Sequence, residues 1–335
     1  MTAPSVPPQR IGIIGAGAIG GHFAARLAQA GHMVSLLARN ATLRAIQEHG
    51  LRYTSGDGAQ SAIAVQAYAS TAEMGPQDLV IIALKAHMLP ELAADLQALI
   101  QPHTVVLPVG NGLPWWYFLV PDHPLSGLRL RSVDPLGAIE RALPLDNVLG
   151  GSVMASCTSP APGVVIHSSG GRVVLGEPRG GGSIRASHWA SVLTAAHLPT
   201  ANSTNIRLDL WLKLLGNVCA NPLSLITGAS TDRLLDDPSV RQVFEHMMQE
   251  CIQLGTRLGL TIDIDARQRM EQTRRLGAIK TSMLQDLEAG RSVELDAILG
   301  APLECAADLG YAVPQMQMIF ALARMRARQA GLYPA

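Results

Sequence analysis

The chain has 335 residues, 48% of them hydrophobic, so it is long enough to form two domains with substantial cores. Lysine plus arginine and aspartate plus glutamate number 26 each, so no net charge favours binding to nucleic acid or to an anionic membrane. Residues 1–9 lack the basic and apolar regions of a signal peptide and no apolar run reaches transmembrane length, so we expect a cytoplasmic protein that acts on small molecules.

A strand, a glycine loop and a helix follow one another at the start of the chain. Residues 10–14 predict a buried strand, and residues 18–30 have apolar side chains at helical spacing. In a G-x-G-x-x-G loop between two such elements, the first glycine permits the tight turn, the second lets backbone N–H groups approach a pyrophosphate, and the third lets the helix pack on the strand. The helix N-terminus then faces the anion. The predicted dinucleotide-binding loop is Gly15, Ala16, Gly17, Ala18, Ile19 and Gly20.

The second predicted strand, residues 33–38, is followed directly by Arg39. At this place an NAD-binding enzyme usually carries an acidic residue that holds the ribose 2′-hydroxyl. A guanidinium instead pairs with a phosphate through charge-assisted hydrogen bonds, so Arg39 predicts NADP(H) as the cofactor. The alternative is a solvated arginine at the end of a strand.

Two further apolar runs, residues 79–84 and 104–109, predict buried parallel strands. The first is followed by Lys85 and the second by Gly110, Asn111 and Gly112. Ligands of open parallel sheets bind outside the carboxyl ends of the strands, so we expect the side chains of Lys85 and Asn111 to face the cofactor crevice.

Residues 150–177 change to short β-rich runs, which predict an antiparallel extension of the sheet, and amphipathic helices replace strands after residue 205. The predicted fold is α/β, with a Rossmann-type, mainly parallel sheet and an antiparallel extension, followed by an all-helical C-terminal domain. We expect an NADP-binding domain at residues 1–204 and a helical substrate and catalytic domain at residues 205–335. The four cysteines are far apart and show no zinc-site spacing, so we expect free thiols and no metal.

Lys213, Asn217 and Asn221 are spaced four residues apart, so one helical face carries an amine and two amides among apolar neighbours. A buried lysine is costly unless it has a partner, which favours a functional role over a surface lysine that covers apolar area. Further along, Ser282 with Gln285 fits either a helix capping box or a ligand contact. Glu294 follows a break between two helices and, in the first turn of the second, fits either a site role or the helix dipole.

Taken together, these motifs resemble the ketopantoate reductase family, the 2-dehydropantoate 2-reductases that use NADPH. The matching motifs are the glycine loop with Arg39, residues 84–86, Asn111-Gly112, residues 211–222, residues 281–286, and Glu294 with Asp296 and Gly300. The resemblance implies that Lys213 is the catalytic acid and that Glu294 orients it and the substrate. It also implies that Asn111, Asn217, Asn221 and Ser282 line the substrate site, that Arg39, Lys85 and Asn111 serve the cofactor, and that the protein is a homodimer.

The expected reaction is the NADPH-dependent reduction of a 2-keto acid, with ketopantoate reduced to pantoate. The chain departs from short-looped family members between residues 113 and 150, where residues 115–118 are four consecutive aromatics. This segment is either an anchor on the domain core or part of a pocket reshaped for another 2-keto acid. A third alternative is a non-catalytic NADPH-binding sensor.

Overall fold

The computed structural model describes residues 7–275 and 277–334 and divides into two compact units. The first unit contains the described residues up to Gly110 together with Ala138–Arg207. The second contains Asn111–Gly137 together with the described residues from Leu208 onward. The domain boundary between residues 204 and 205 stays a prediction, and the segment 111–137 groups with the helical part of the chain.

The first unit contains two sheets. The strands are β1 (Arg10–Ile14), β2 (Met33–Leu37), β3 (Leu51–Thr54), β4 (Gln60–Ile63), β5 (Gln66–Tyr68), β6 (Leu79–Ile82), β7 (Val105–Pro108), β8 (Gly150–Thr158), β9 (Val164–Gly176) and β10 (Thr200–Ser203). Sheet A has the order β5-β2-β1-β6-β7, and its strands pair in parallel. The chain moves from one side of β1 to the other between β5 and β6. This strand order is that of a Rossmann-type sheet with a switch point beside β1.

Sheet B contains the predicted antiparallel extension. β8 and β9 form an antiparallel hairpin, and β9 also pairs in parallel with β3 and β10. β4 completes this mixed sheet by pairing antiparallel with β3. A parallel bridge pairs Val106 of β7 with Val148, which lies two residues before β8. The prediction of a mainly parallel sheet with an antiparallel addition is therefore confirmed, and the addition takes the form of a second sheet.

Both sheets share one hydrophobic core through the first helix. The helices of this unit are α1 (Ala18–Gln29), α2 (Asn40–His49), α3 (Thr71–Met74), α4 (Leu89–Leu92), α5 (Ala138–Ala142) and α6 (Ile184–Ala195). Phe23 of α1 belongs to the same buried cluster as Ile11 of sheet A and Val165 of sheet B. Burial on two sides fixes α1, and with it the glycine loop that precedes it.

From residue 206 onward the described residues form helices and loops, as the sequence predicts. The helices are α7 (Ile206–Thr227), α8 (Thr231–Asp236), α9 (Pro238–Arg257), α10 (Ala266–Arg274), α11 (Ser282–Glu288), a π-helical turn (Asp296–Gly300), α12 (Ala301–Asp308) and α13 (Pro314–Gln329). Asp237 caps α9, and Asp265 with Gln268 forms a capping box on α10. Among the described residues, no helix combines the length and the hydropathy that would be needed to cross a membrane.

Candidate active site

At two positions of the predicted dinucleotide loop, the backbone of the protein leaves room only for glycine. Gly15 has a φ of +110°, and a side-chain carbon there would lie 2.9 Å from the carbonyl oxygen of Ala83. A side-chain carbon at Gly20 would collide with the carbonyl oxygen of Gly15. The turn between β1 and α1 can therefore close only with glycine at these two places.

Gly17 differs from its neighbours because no protein atom requires it to be glycine. A side-chain carbon at this position would have no protein atom within 4 Å, so the missing side chain leaves open space. Gly17 is also the N-cap of α1 and supplies no capping side chain. The first N–H groups of a helix lack partners within it and attract anions. Open space at a helix N-terminus is what a dinucleotide pyrophosphate would need, and this role of the loop stays a prediction.

The cationic residues predicted for the cofactor follow the strands on either side of β1. Arg39 comes after β2 and is exposed, and Lys85 comes after β6 and is half-buried. β1 pairs with both of these strands in parallel, so all three carboxyl ends lie at one edge of sheet A. The structure thus places the glycine loop, Arg39 and Lys85 at one carboxyl edge of sheet A, and the loop and Lys85 flank the switch point between β1 and β6.

In the second unit, α7 carries the predicted amine and amides on one face. Lys213 and Asn217 are half-buried, and Asn221 is 4% exposed. The Asn221 side-chain amide donates a hydrogen bond to the hydroxyl of Ser282, with 3.5 Å between the two atoms. Next to it, a buried hydrogen bond joins the hydroxyls of Ser224 and Thr281. These contacts bring the start of α11 onto the Asn221 end of α7.

Of the two alternatives for Ser282 and Gln285, the capping box is wrong. The N-cap of α11 is Thr281, whose hydroxyl accepts a hydrogen bond from the backbone N–H of Leu284 at 3.2 Å. The Gln285 side chain instead donates to the carbonyl of Lys280 at 2.9 Å. Threonine is a common N-cap residue, so the sequence carries a capping signal at Thr281, one residue before the expected cap. Ser282, which caps nothing, meets Asn221 instead.

Glu294 lies directly before the next helical stretch, not within its first turn as predicted. The turn that leads to it is closed by Arg291, whose backbone N–H donates to the carbonyl of Asp286 at 2.8 Å and whose side chain donates to the carboxylate of the same residue at 2.9 Å. Burial lowers the pKa of Lys213 to about 8, and the Glu294 carboxylate opposes this by raising it. These opposing influences are the ones expected for a buried acid with an orienting carboxylate, and the roles of Lys213 and Glu294 stay predictions.

A π-helical turn follows Glu294, and Pro302 leaves one of its carbonyls without a donor inside the helix. The N–H of Ala301 donates to the carbonyl of Asp296, five residues back. The carbonyl of Ala297 would need a donor at position 302, but proline has no N–H. The backbone N–H of Leu113 supplies that donor at 2.9 Å. Single π-turns of this kind are common at functional sites, and the sequence analysis missed this one.

The contact with Leu113 also fixes the Asn111-Gly112 turn within the second unit. Gly112 has a φ of +84°, and a side-chain carbon there would collide with the carbonyl of Ala297. Asn111 is half-buried and follows the end of β7 closely in sequence. The glycine of this motif is therefore required by the close approach of two backbones.

The aromatic segment after Gly112 is buried throughout. The side chains of Trp115, Trp116, Tyr117 and Phe118 are each at most 3% exposed. The ring of Tyr117 packs at 6.2 Å from that of Trp211 on α7 and edge-on against Phe118 at 4.9 Å. This burial supports the account in which the segment anchors the loop on the core of the second unit.

The cysteines have no metal or nucleophile environment in the part of the chain described. All four are free, and Cys219, Cys251 and Cys305 are buried. Burial raises the pKa of the half-buried Cys157 to about 12. No group of three or more potential metal ligands occurs among residues 7–275 and 277–334. A thiol with so high a pKa is a poor nucleophile.

Comparison with known proteins extends over nearly the whole chain. The family described as ketopantoate reductase PanE/ApbA matches residues 11–180, and ketopantoate reductase PanE/ApbA C terminal matches residues 205–327. The 2-dehydropantoate 2-reductase of Mesorhizobium japonicum is 40% identical over 325 residues, which is 97% of this chain and 99% of that protein. The enzyme of the same name from Nostoc sp. is 28% identical over 321 residues and covers 93% of each chain.

Solved structures agree with these matches. A crystal structure from Ralstonia solanacearum, assigned as a ketopantoate reductase, is 43% identical with a TM-score of 0.93 and covers 97% of this chain and 99% of its own. D-Mandelate dehydrogenase with NADH and anilino(oxo)acetate is 23% identical with a TM-score of 0.84, covers 96% of this chain and 99% of its own, and shares the fold. The chain belongs to the ketopantoate reductase family of NAD(P)H-dependent oxidoreductases that act on the CH-OH/C=O pair.

Proposed function

We propose that this chain reduces a 2-keto acid to the 2-hydroxy acid with NADPH and that its substrate is ketopantoate. The observation that carries the proposal is the polar face of α7, on which the half-buried Lys213 lies in line with Asn217 and Asn221, and Asn221 donates to Ser282. Burial and the Glu294 carboxylate have opposite effects on the pKa of Lys213, which supports its role as the acid. An acid with a pKa near the operating pH is the kind that keto acid reduction needs. Family membership and the names of the relatives support the reaction class.

Lys213 supplies the proton in this reaction. The reduced nicotinamide, when bound, provides a hydride for the ketone carbon, and the ketone oxygen then needs a proton. With a pKa of about 8, Lys213 is mostly protonated at pH 7. Its ammonium donates to the developing alkoxide and stabilises the negative charge there. A lysine with an ordinary pKa near 10.4 would be a weaker acid for this step.

Glu294 and the polar face of α7 orient the reacting groups. The carboxylate keeps Lys213 charged in surroundings that favour the neutral amine. Asn217, Asn221 and Ser282 offer amide and hydroxyl groups to the substrate carboxylate and hydroxyl, and Asn111 adds another amide. The hydrogen bond between Asn221 and Ser282 fixes two of these groups relative to each other.

The cofactor is NADPH in this proposal. The open space at Gly17 receives the pyrophosphate, and Arg39 pairs with the 2′-phosphate. Lys85 adds positive charge at the neighbouring strand end. Two solved structures of D-mandelate dehydrogenase, which share this fold, contain NADH. The choice between NADPH and NADH therefore depends on whether Arg39 pairs with the 2′-phosphate.

Replacement of Lys213 tests the catalytic assignment. Lys213→Ala should lower kcat roughly 10²- to 10⁴-fold, about 3 to 5 kcal/mol of barrier, while the Kd of NADPH stays unchanged. Lys280→Ala is the matched control, because Lys280 is exposed in the same unit and pairs with Glu288 at 2.7 Å. A Lys213→Ala enzyme with wild-type turnover would rule out the assignment.

Replacement of Glu294 tests its electrostatic role separately. Glu294→Gln removes the carboxylate that raises the pKa of Lys213. The basic limb of the pH profile of kcat/KM, where activity falls as the pH rises, should therefore move to lower pH. The sign follows because the ammonium form is the active one and is lost as the pH rises through the pKa. A limb that stays in place would show that Glu294 does not set the charge of Lys213.

Substrate identity requires a panel of 2-keto acids assayed by NADPH oxidation. Ketopantoate should lead the other acids by orders of magnitude in kcat/KM. A different leading acid would favour the reshaped pocket, despite the burial of residues 115–118. Absence of oxidation with every acid, together with tight NADPH binding, would favour the sensor.

A further inference from the structure

The segment that follows α13 folds back onto the residues around Glu294. The carbonyl of Leu332 accepts a hydrogen bond from the backbone N–H of Val293 at 3.2 Å. The hydroxyl of Tyr333 donates to the carboxylate of Asp296 at 2.5 Å. Residues 332–334, here named the clasp, therefore hold the chain on both sides of Glu294.

The clasp is itself fixed to α13. The N–H of Leu332 donates to the carbonyl of Ala327 at 2.9 Å, and its side chain is buried. The side chain of Arg328 donates to the carbonyl of Pro334 at 2.9 Å, and its guanidinium lies 5.7 Å from the centre of the Tyr333 ring. A segment held in this way can transmit the position of α13 to the residues that it contacts.

On the other side, the π-helical turn restrains the same stretch of chain. The carbonyl of Asp296 accepts from the N–H of Ala301, and the carbonyl of Ala297 accepts from the N–H of Leu113. Glu294 is thus bracketed by a backbone contact at residue 293 and by side-chain and backbone contacts at residue 296. These contacts restrain the chain on both sides of Glu294.

We propose that the clasp is a positioning element of the active site, in which the hydrogen bond from Tyr333 to Asp296 fixes the position of the Glu294 carboxylate relative to Lys213. This inference rests on the roles proposed above for Lys213 and Glu294. Tyr333 acts only through Asp296 and Glu294, so it is a positioning residue. Because the attraction between two charges weakens with distance, an unrestrained Glu294 would stabilise the Lys213 ammonium less.

The clasp should stay closed over the pH range in which Lys213 titrates. Burial and then the hydrogen bond to Asp296 raise the pKa of Tyr333 above its usual value of 10, whereas Arg324 and Arg328 act in the opposite direction with smaller effect. Tyr333 therefore remains a neutral donor while the ammonium of Lys213, with a pKa of about 8, loses its proton. A change in the basic limb of the pH profile then reports on Lys213 and not on Tyr333.

Tyr333→Phe removes the hydroxyl and leaves the ring. The basic limb of kcat/KM for ketopantoate should move down by roughly 0.5 pH unit or more, so activity falls about threefold or more above the limb and much less at pH 6. Tyr311→Phe is the matched control, because the Tyr311 hydroxyl donates to the side chain of Gln253 in the same unit. The control should keep the wild-type profile. An unchanged limb in Tyr333→Phe, or an equal loss of activity at every pH, would overturn the proposal.

A second readout does not depend on turnover. The pH dependence of the acetylation rate of Lys213, followed by brief exposure to acetic anhydride and mass spectrometry, gives its pKa in wild type and in Tyr333→Phe. A lower pKa in the variant supports the clasp even if wild type reduces no keto acid, in which case only the proposed function fails. An equal pKa in the two folded proteins overturns the clasp.

Asp296→Asn provides the comparison should Tyr333→Phe fail to fold. Asparagine keeps the shape and an acceptor oxygen but loses the charge that strengthens the bond. The pKa of Lys213 should then fall by a smaller amount in the same direction. A wild-type pKa in that variant counts against the clasp.

Discussion

Replacing Gly17 with alanine separates what the ligand requires from what folding requires. Gly17 has φ −82° and ψ −166°, an extended conformation open to any residue, and an added side-chain carbon would meet no protein atom within 4 Å. The folded protein should therefore keep its Tm. The added carbon would occupy space that a pyrophosphate oxygen needs, and loss of about one charge-assisted hydrogen bond, roughly 1.5–3 kcal/mol, should raise the Kd of NADPH about ten- to a hundredfold.

Two further glycines provide the comparison. In Gly20→Ala the new carbon collides with the carbonyl of Gly15, so Tm itself should fall. In Gly182→Ala the carbon again meets no protein atom within 4 Å, but the site lies outside the loop, so neither quantity should change. Calorimetry gives Tm, and fluorescence titration gives Kd. A Gly17→Ala protein that binds NADPH as tightly as wild type would refute the assignment of this space to the pyrophosphate.

Two other predictions concern cofactor choice and acid stability. Arg39→Gln should raise the Kd of NADPH about ten- to a hundredfold and leave the Kd of NADH unchanged. An equal change in both Kd values would show that Arg39 does not contact the 2′-phosphate. Burial lowers the pKa of His22 to about 3, and His167 and Arg26 act in the same direction. Between about pH 6.5 and 3, the unfolded chain therefore binds a proton that the folded chain does not bind. The free energy of unfolding should therefore fall by up to about 1.4 kcal/mol per pH unit of acidification. Urea titrations at several pH values should show that the free energy of unfolding depends less on pH in His22→Gln than in wild type. The exposed control His188→Gln should keep the wild-type pH dependence, and the same pH dependence in all three proteins would contradict the role given to His22.

Local patterns were sufficient where neighbouring residues determine the structure. The strand, loop and helix at residues 10–29 follow from apolar periodicity and glycine placement, and Asp237 and Asp265 cap their helices as expected. The face shared by Lys213 and Asn221 follows from helical spacing alone, because α7 is continuous from Ile206 to Thr227. In each case the interactions span only a few residues.

Contacts between distant parts of the chain could not be predicted in this way. The β8–β9 hairpin builds a second sheet because β9 pairs with β3, more than 100 residues earlier. Pro302 signals that a carbonyl of the π-helical turn lacks a donor within the helix, but periodicity does not indicate that Leu113 supplies this donor. The same holds for Tyr333, whose partner Asp296 precedes it by 37 residues. Sequence patterns identify the groups that need partners more readily than they identify the partners.

The acidity of Lys213 shows why such distant contacts matter for function. Burial without a partner would favour the neutral amine, which has no proton to give at neutral pH, and full exposure would restore a pKa near 10.4, which suits a weak acid. A pKa of about 8 requires both the buried face of α7 and the carboxylate of Glu294, which lie far apart in sequence. Substitutions that weaken the carboxylate's influence and substitutions that expose the lysine should therefore move the basic limb in opposite directions. Changes in the core around α7 are thus expected to alter the pH dependence of turnover as well as stability.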